Sequence, residues 1–297
     1  MGSLCHRRDC QRGGYLLMTP FFAQRLFNVP LLLDGRRAAA MLEGLRAPRA
    51  DYFADDEGEI YEVVRRDDGR PYELTDGVAV IPVRGILVHG PAWGLFGETS
   101  YDDVRRMVDA AIGDEEVAAI CLHVDSPGGE VAGCFDLAED IYFARQIKPI
   151  YAICNECAYS AAYALVSAAT KIYVPRTGGV GSIGVIALRL DITAALAQMG
   201  IKITTLAFGD RKTDTYPTTP LSESAEKRLQ SDIDALGEIF LGIVARNRGL
   251  TVESVREMQA GTFLGQLGVN SGLADAVLTP DEAFLTVMKA TTAISRQ

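Results

Sequence analysis

Residues 117–146 read VAAICLHVDSPGGEVAGCFDLAEDIYFARQ, an apolar run that ends in a Gly-Gly turn and leads into a segment with helical spacing. An apolar run of this length, bounded by turn residues, is typical of a buried strand. Residues 149–169 repeat the order and read PIYAICNECAYSAAYALVSAA: a strand, a short turn and a helix of small residues. Strands that alternate with helices in this way indicate an α/β fold with a largely parallel sheet.

The flanking sequence continues the pattern in both directions. Further strands and helices are expected at 78–87 (strand), 101–114 (helix), 171–185 (strand and Gly-rich loop) and 201–208 (strand). Residues 221–248 have apolar side chains at helical spacing and predict a long amphipathic helix, capped by Ser222 or Ser224 and ended by Gly249. Residues 51–76 are rich in charge and turn residues and predict a linker or an exposed hairpin.

Composition narrows the class of protein. The 297 residues are 48% hydrophobic and 23% charged, and 39 Asp and Glu against 29 Lys and Arg give a net charge of −10. Because an acidic chain lacks the basic surface that nucleic acid and anionic membranes attract, we expect neither as a partner. Three His and six scattered Cys give no ligand spacing, so we expect no metal and no cofactor. No membrane helix or signal peptide is legible, which predicts a cytoplasmic protein with reduced thiols.

Three segments carry candidate chemistry. Gly128 and Gly129 follow a strand and can present backbone N–H groups to an oxyanion, although Gly-Gly also occurs in plain turns. Ser160 lies where a strand turns into a helix, as hydrolase nucleophiles do, yet an isolated serine there is more often a helix cap. Ser182, within the Gly-rich residues 178–185, either orients an amine or belongs to a tight loop that binds nothing.

A serine nucleophile needs a base. All the histidines precede Ser160, and His123 is predicted to lie in a buried strand, which disfavours a His-based triad without excluding it. Lysine acts as a base when burial keeps it neutral. Among the few lysines Lys212 stands out, in a polar loop after the predicted strand at 201–208. Taken alone, an exposed loop lysine is the simpler interpretation.

Taken together, these segments resemble the serine peptidases of the signal peptide peptidase A family over about residues 78–277. The parts occur in the family's order: VDSPGG, a serine in a small-residue helix, GSIGV, and a lysine after a strand. The resemblance implies a fold like that of the Clp protease subunit and the crotonases, built from repeated ββα units. It also implies a Ser-Lys dyad of Ser160 and Lys212, which are 52 positions apart (212 − 160), with Ser182 bonding the lysine amine.

The resemblance assigns oxyanion and substrate contacts as well. Gly128, Gly129 and Ala161 take these positions, with the backbone N–H groups of Gly129 and Ala161 as donors. Where the family often has Ser-Gly-Gly-Tyr-Tyr, residues 160–164 read SAAYA, which implies a narrower pocket beside the nucleophile.

The segment FNVPLLLDGRRAAAMLEGL at 27–45 resembles the N-terminus of the phage head-maturation branch of the family, the lambda-type capsid protein C proteases. This branch implies a prohead protease that cleaves scaffold or capsid proteins, in the host cytoplasm or inside the prohead. It also implies a homo-oligomeric ring, with active sites that protomers can share. The chain is then divided into an upstream extension (1–17), an N-terminal segment and linker (18–76), a peptidase domain (77–290) and a tail (291–297).

Other functions stay open at this point. A cytoplasmic signal-peptide-peptidase-like protease would degrade peptides, and a crotonase-like enzyme would act on acyl-CoA. A catalytically inactive homologue would serve as a portal- or scaffold-binding module. The Cys154–Cys157 pair lacks a second Cys or His pair of matching spacing, so buried or partly buried thiols are expected rather than a redox or metal site.

Overall fold

The computed structural model describes residues 27–35, 38–39, 69–92 and 97–294. The chain divides into two compact units, of which unit 1 comprises Met1–Leu31 and Ile186–Asp234. Unit 2 comprises Leu32–Val185 and Ala235–Gln297. The predicted extension at 1–17 and most of the predicted linker at 51–76 lie outside the described residues.

The strands of the described residues are β1 (Pro30–Leu33), β2 (Glu73–Thr75), β3 (Val78–Val88), β4 (Thr99–Ser100), β5 (Ala119–Glu130), β6 (Ile150–Tyr159), β7 (Lys171–Val174), β8 (Gly179–Gly181), β9 (Ile186–Ala187), β10 (Thr262–Leu264) and β11 (Ala276–Val277). The helices are α1 (Tyr101–Gly113), α2 (Cys134–Ala144), α3 (Ala161–Ser167), α4 (Thr193–Gln198), α5 (Glu223–Arg248), α6 (Val252–Glu257), α7 (Gln266–Asn270) and α8 (Pro280–Ile294). None of these helices combines the length and the apolar character needed to cross a bilayer.

Unit 2 is built on a parallel sheet. Strands β3, β5, β6 and β7 are each paired in parallel with the next, and α1, α2 and α3 connect them in turn. Each βαβ step places its helix against the sheet, because parallel strands need a crossover connection. The predicted α/β fold with alternating strands and helices is therefore confirmed.

Helices cover both faces of this sheet. On one face, α1, α2, α3 and the second half of α5 contribute to a large apolar core, with Val104, Leu137, Tyr163 and Phe240 almost fully buried. On the other face α8 packs its apolar side chains against a smaller cluster. A sheet buried on both sides explains why its strands are continuous apolar runs rather than alternating ones.

The Gly-rich segment at 178–185 differs from the loop that its sequence predicts. Residues 179–181 form β8, which pairs in parallel with β6 and antiparallel with β10. A methyl group on Gly178 would lie 2.2 Å from Glu156 O, and one on Gly181 would lie 2.6 Å from Gly261 O. The glycines are therefore needed for close strand packing, and partners on both sides already use the edges of β8.

Unit 1 contains the first half of β1, β9, α4 and the first half of α5. Pro30 and Leu31 pair antiparallel with Ala187 and Ile186. The prediction of a strand at 201–208 is wrong, because residues 201–207 have no regular secondary structure. No partner strand pairs with this segment in the described part of the chain, and its apolar side chains, including the fully exposed Phe208, face solvent.

The long helix agrees with its prediction. It spans Glu223–Arg248, and Ser222 Oγ accepts a hydrogen bond of 3.1 Å from the Ala225 N–H. Gly249 follows with a φ of +67°, a left-handed conformation that ends helices and that glycine adopts without strain. Of the residues predicted as a linker or hairpin, Glu73–Thr75 pair antiparallel with the start of β3.

Candidate active site

Ser160 stands between β6 and α3, at the turn from strand to helix. Its backbone angles are φ 56° and ψ −117°, which few residues other than glycine adopt. The Ser160 N–H donates to Gly181 O at 2.8 Å, and the hydroxyl lies 3.5 Å from Gly184 O. A serine held in a strained strand-to-helix turn is the geometry of a nucleophile elbow, and it is not that of an ordinary helix cap. The side chain makes no capping hydrogen bond, in line with this interpretation.

Ser182 lies beside Ser160. Tyr159 and Gly181 are paired residues of the parallel strands β6 and β8, and each serine directly follows one of them. Ser182 also has a positive φ, of 55°, and its N–H donates to Gly261 O at 2.8 Å. Among the hydrogen bonds of the described residues, none uses the Ser182 hydroxyl, so this group can bond an approaching amine.

The sequence predicts a turn at Gly128 and Gly129, but both glycines belong to β5 and pair with β3, and Gly128 lies close to Ser160. A methyl group placed on Gly128 would lie 3.0 Å from Ser160 Cβ and 3.1 Å from Ala161 N. The Gly128 N–H donates to Ser126 Oγ at 3.1 Å, so it is not a free donor. Gly129 has no room for a side chain, because a methyl group there would lie 1.9 Å from Leu87 O. Both glycines are thus required by close backbone approach.

Asp125 is a residue of the site that sequence reasoning missed. Its Oδ1 accepts hydrogen bonds from the Cys157 N–H at 3.3 Å and from the Cys157 thiol at 3.4 Å. This contact joins β5, three residues before Gly128, to β6, three residues before Ser160. The signal in the sequence is the place of Asp125 as the second residue of the VDSPGG motif. Burial raises the pKa of the neighbouring Cys154 thiol, so Cys154 stays protonated.

Lys212 lies in unit 1, in a turn that its N–H closes onto Gly209 O at 3.1 Å. Its side chain is exposed to solvent in the single chain. Five of the six predicted site residues therefore lie in unit 2, at the junction of β5, β6 and β8. The role of Lys212 stays a prediction.

No set of three or more His, Cys, Asp or Glu side chains within the described ranges is arranged to hold a metal ion. The chemistry that the arrangement of unit 2 supports is nucleophilic attack by a serine hydroxyl. Backbone N–H groups close to that hydroxyl would stabilise the developing negative charge.

Comparison with known proteins agrees with this chemistry. The profile of peptidase family S49 matches residues 142–294, which include Ser160, Ser182 and Lys212. The chain is 36% identical over 275 residues to the head-tail preconnector protein GP5 of Enterobacteria phage P21, covering 86% of this chain and 54% of that protein. It is 33% identical over 287 residues to the capsid assembly protease C of Escherichia phage lambda, covering 91% of this chain and 65% of that protein.

The chain thus spans less than two thirds of the length of these two relatives. A solved enoyl-CoA hydratase from Shewanella pealeana is similar with a TM-score of 0.45 and 10% identity, over 74% of this chain and 72% of that one. The family profile extends over half of the sequence and includes the serine held at the strand-to-helix turn. The chain belongs to peptidase family S49.

Proposed function

We propose that the protein is a serine endopeptidase that cleaves scaffold or capsid proteins during phage head maturation. The observation that carries the proposal is Ser160, a strained serine beside the backbone N–H of Ala161 and Gly128 of β5. The names of the two phage relatives, a head-tail preconnector protein and a capsid assembly protease, support the phage setting. Membership of a peptidase family favours peptide hydrolysis over acyl-CoA chemistry.

The proposed reaction is acyl transfer to Ser160. The hydroxyl oxygen attacks the substrate's peptide carbonyl while Lys212, as a neutral amine, takes the hydroxyl proton. The N–H groups of Gly129 and Ala161 stabilise the oxyanion, and the loss of one such donor typically costs about 2.7–4 kcal/mol. The lysine then protonates the leaving amine. Water, deprotonated by the same lysine, hydrolyses the ester and releases Ser160.

Ser182 would orient the lysine amine. Ser182 lies next to Ser160, because each serine directly follows one residue of the Tyr159–Gly181 pair. A lone pair on the lysine nitrogen must face the serine for proton transfer, so a hydrogen bond that fixes the amine raises the rate.

Lys212 would reach its working environment on assembly. A lysine acts as a base near neutral pH when it is desolvated, and the Lys212 side chain is exposed in the single chain. Leu206 and Phe208, just ahead of it, are 92% and 103% exposed. A second copy of the chain that covered these apolar side chains would bury the lysine beside them. This supports a homo-oligomeric ring, in which the lysine serves the serine of its own protomer or of a neighbour.

The location follows from the substrate. A protease that trims scaffold and capsid proteins acts where heads assemble, in the host cytoplasm or inside the prohead. The net charge of −10 disfavours direct binding to the packaged nucleic acid.

The test is co-expression with the scaffold and capsid proteins of the same phage, with peptide products identified by mass spectrometry. Ser160→Ala and Lys212→Ala should each abolish cleavage. Lys202→Ala, which removes another exposed lysine of the same segment, should leave it unchanged. Processing by Ser160→Ala at the wild-type rate would contradict the assignment of Ser160 as the nucleophile. Processing by Lys212→Ala at the wild-type rate would contradict the assignment of Lys212 as its base.

A further inference from the structure

The last residues of β1 lie along β5, beside the candidate nucleophile. On one side, β5 pairs with β3 through Gly129. On its other side, the pairing with β6 ends at Ser126 and Ala158. Beyond that point β1 takes the place of β6, and the Asp34 N–H donates to Pro127 O at 3.0 Å. The edge of β5 beyond Ser126 is therefore occupied by a strand of the same chain.

The backbone carbonyl oxygen of Leu32 lies close to the reactive centre. A methyl group on Gly128 would lie 2.1 Å from Leu32 O, 3.0 Å from Ser160 Cβ and 3.1 Å from Ala161 N. One side of Gly128 is thus shared by a backbone carbonyl, the serine and an oxyanion donor. A bound substrate would place its scissile carbonyl where Leu32 O lies, beside Ser160 and the Ala161 N–H.

Burial indicates that the position is filled. Ser160 is 1% exposed, Leu32 is fully buried, and Asp34 is 7% exposed. A protein substrate cannot place a peptide bond against Ser160 while these residues stay in place, because interiors have no spare volume for a second strand. The nucleophile is therefore closed in this state of the chain.

We propose that Leu32–Asp34 form an autoinhibitory strand, which occupies the position of a substrate peptide on β5 and must be displaced before a substrate binds. This inference rests on the proposed peptidase function, because a strand can inhibit Ser160 only if Ser160 acts on a peptide substrate. Extended peptides commonly bind by adding a strand to a sheet edge, where main-chain hydrogen bonds hold them. Here the ligand class is an extended, apolar polypeptide segment that resembles PLLLD at 30–34.

The exchange of strands is energetically accessible. A single backbone hydrogen bond contributes about 0.5–1.5 kcal/mol net, and an incoming peptide forms the same bond with Pro127 O. The internal strand has the advantage of being tethered, so a free peptide competes only at high concentration. Scaffold and capsid proteins confined inside a head would compete best for this edge, which would restrict activity to the assembled particle.

The test measures how fast a fluorophosphonate labels Ser160 in the full chain, followed by intact mass. Asp34→Pro removes the N–H that bonds Pro127 O, and Asp34→Asn is the matched control that keeps it. We expect labelling of Asp34→Pro to be about threefold to tenfold faster, the factor that corresponds to one hydrogen bond. The synthetic peptide FNVPLLLDG (27–35) should slow the labelling of Ser160 in Asp34→Pro, and a scrambled peptide should leave the labelling rate unchanged.

Two results would overturn the autoinhibitory strand. Equal labelling rates in Asp34→Pro and Asp34→Asn, both folded by circular dichroism, would show that the strand does not shield Ser160. A self-cut between residues 30 and 34 that disappears in Ser160→Ala would show that the segment is a substrate and not an inhibitor.

A separate readout keeps this proposal distinct from the peptidase function. If no variant is labelled, the nucleophilic role of Ser160 fails, and hydrogen exchange then tests the strand alone. The Asp34 amide should be protected in the wild type and should exchange faster when the 27–35 peptide is added. An Asp34 amide that exchanges at the rate of an unfolded peptide would contradict the proposal.

Discussion

Ser160 and Ser182 have φ angles of 56° and 55°, in a region where non-glycine residues are uncommon. Such strain persists only where the surrounding structure imposes it, and it clusters at functional sites. Here the β6–β8 pairing and the hydrogen bonds to Gly181 O and Gly261 O impose it. Two adjacent strained serines are difficult to explain as loop residues without a function.

Ser182→Gly separates function from fold at this position. Because glycine adopts a positive φ freely, the free energy of unfolding should change by less than about 1 kcal/mol. Loss of the hydroxyl should lower kcat for peptide hydrolysis at least about tenfold, the equivalent of one hydrogen bond. Thermal melts and steady-state kinetics on the same sample provide the two measurements. Wild-type kcat in a folded Ser182→Gly protein would show that the hydroxyl orients nothing.

At the residue scale, the sequence was sufficient for part of the site. The order VDSPGG, Ser160, GSIGV predicted the residues that meet at the ends of β5, β6 and β8. It did not predict that Gly128 donates to Ser126, or that Asp125 bonds Cys157, because these contacts depend on the register between β5 and β6. Nor does the sequence show whether Lys212 becomes buried in an assembly, because this depends on which surface covers the exposed turn that carries it.

At the scale of elements, Asp275 joins the C-terminal segment to the sheet. It accepts hydrogen bonds from the Ile172 N–H at 2.9 Å and from Lys171 Nζ at 2.9 Å, and it pairs with Arg248 at 3.1 Å. Burial alone would raise the pKa of Asp275, but the bond from Lys171 and the charge of Arg248 outweigh burial and hold the pKa below its usual 3.8. The carboxylate thus connects β7, the end of α5 and the start of β11.

Asp275→Asn should lower the free energy of unfolding by about 1–3 kcal/mol, because Arg248 loses its charge partner. Since the folded pKa lies below the unfolded one, the carboxylate stabilises the fold at neutral pH, and this contribution is lost as pH falls below about 4. Urea melts at pH 7 and pH 3 measure both effects, with the exposed Glu257→Gln as control. An equal difference between Asp275→Asn and wild type at both pH values would contradict the assignment.

The elements themselves were predictable where the pattern is local. The strand–helix alternation from β3 to β7 and the helix at Glu223–Arg248 follow from periodicity and capping. The Gly-rich sequence predicts a loop where the short strand β8 forms. Local sequence does not reveal this strand, because its pairing with β10 joins residues about eighty positions apart. The expected strand at 201–208 has apolar spacing but no partner to pair with in the described part of the chain.

At the scale of the whole molecule, assembly is the main expectation. Leu206 and Phe208 expose nearly their entire side chains, and large exposed apolar groups near one another mark interaction surfaces. The double variant Leu206→Ser, Phe208→Ser should shift the protein to smaller species in sedimentation velocity, with an unchanged melting temperature for the monomer. Ile147→Ser, which alters an exposed apolar residue of unit 2, is the control. A wild-type protein that sediments as a monomer at all concentrations would contradict a ring.

The most direct test of the account is peptide mapping of the protein after reaction with a fluorophosphonate. A Ser160–Lys212 peptidase should give one adduct, on the peptide that contains Ser160, with no adduct on Ser160→Ala and slowed labelling of the Lys212→Ala variant. An adduct on a different residue, or equal labelling of wild type and Lys212→Ala, would contradict a Ser160–Lys212 peptidase.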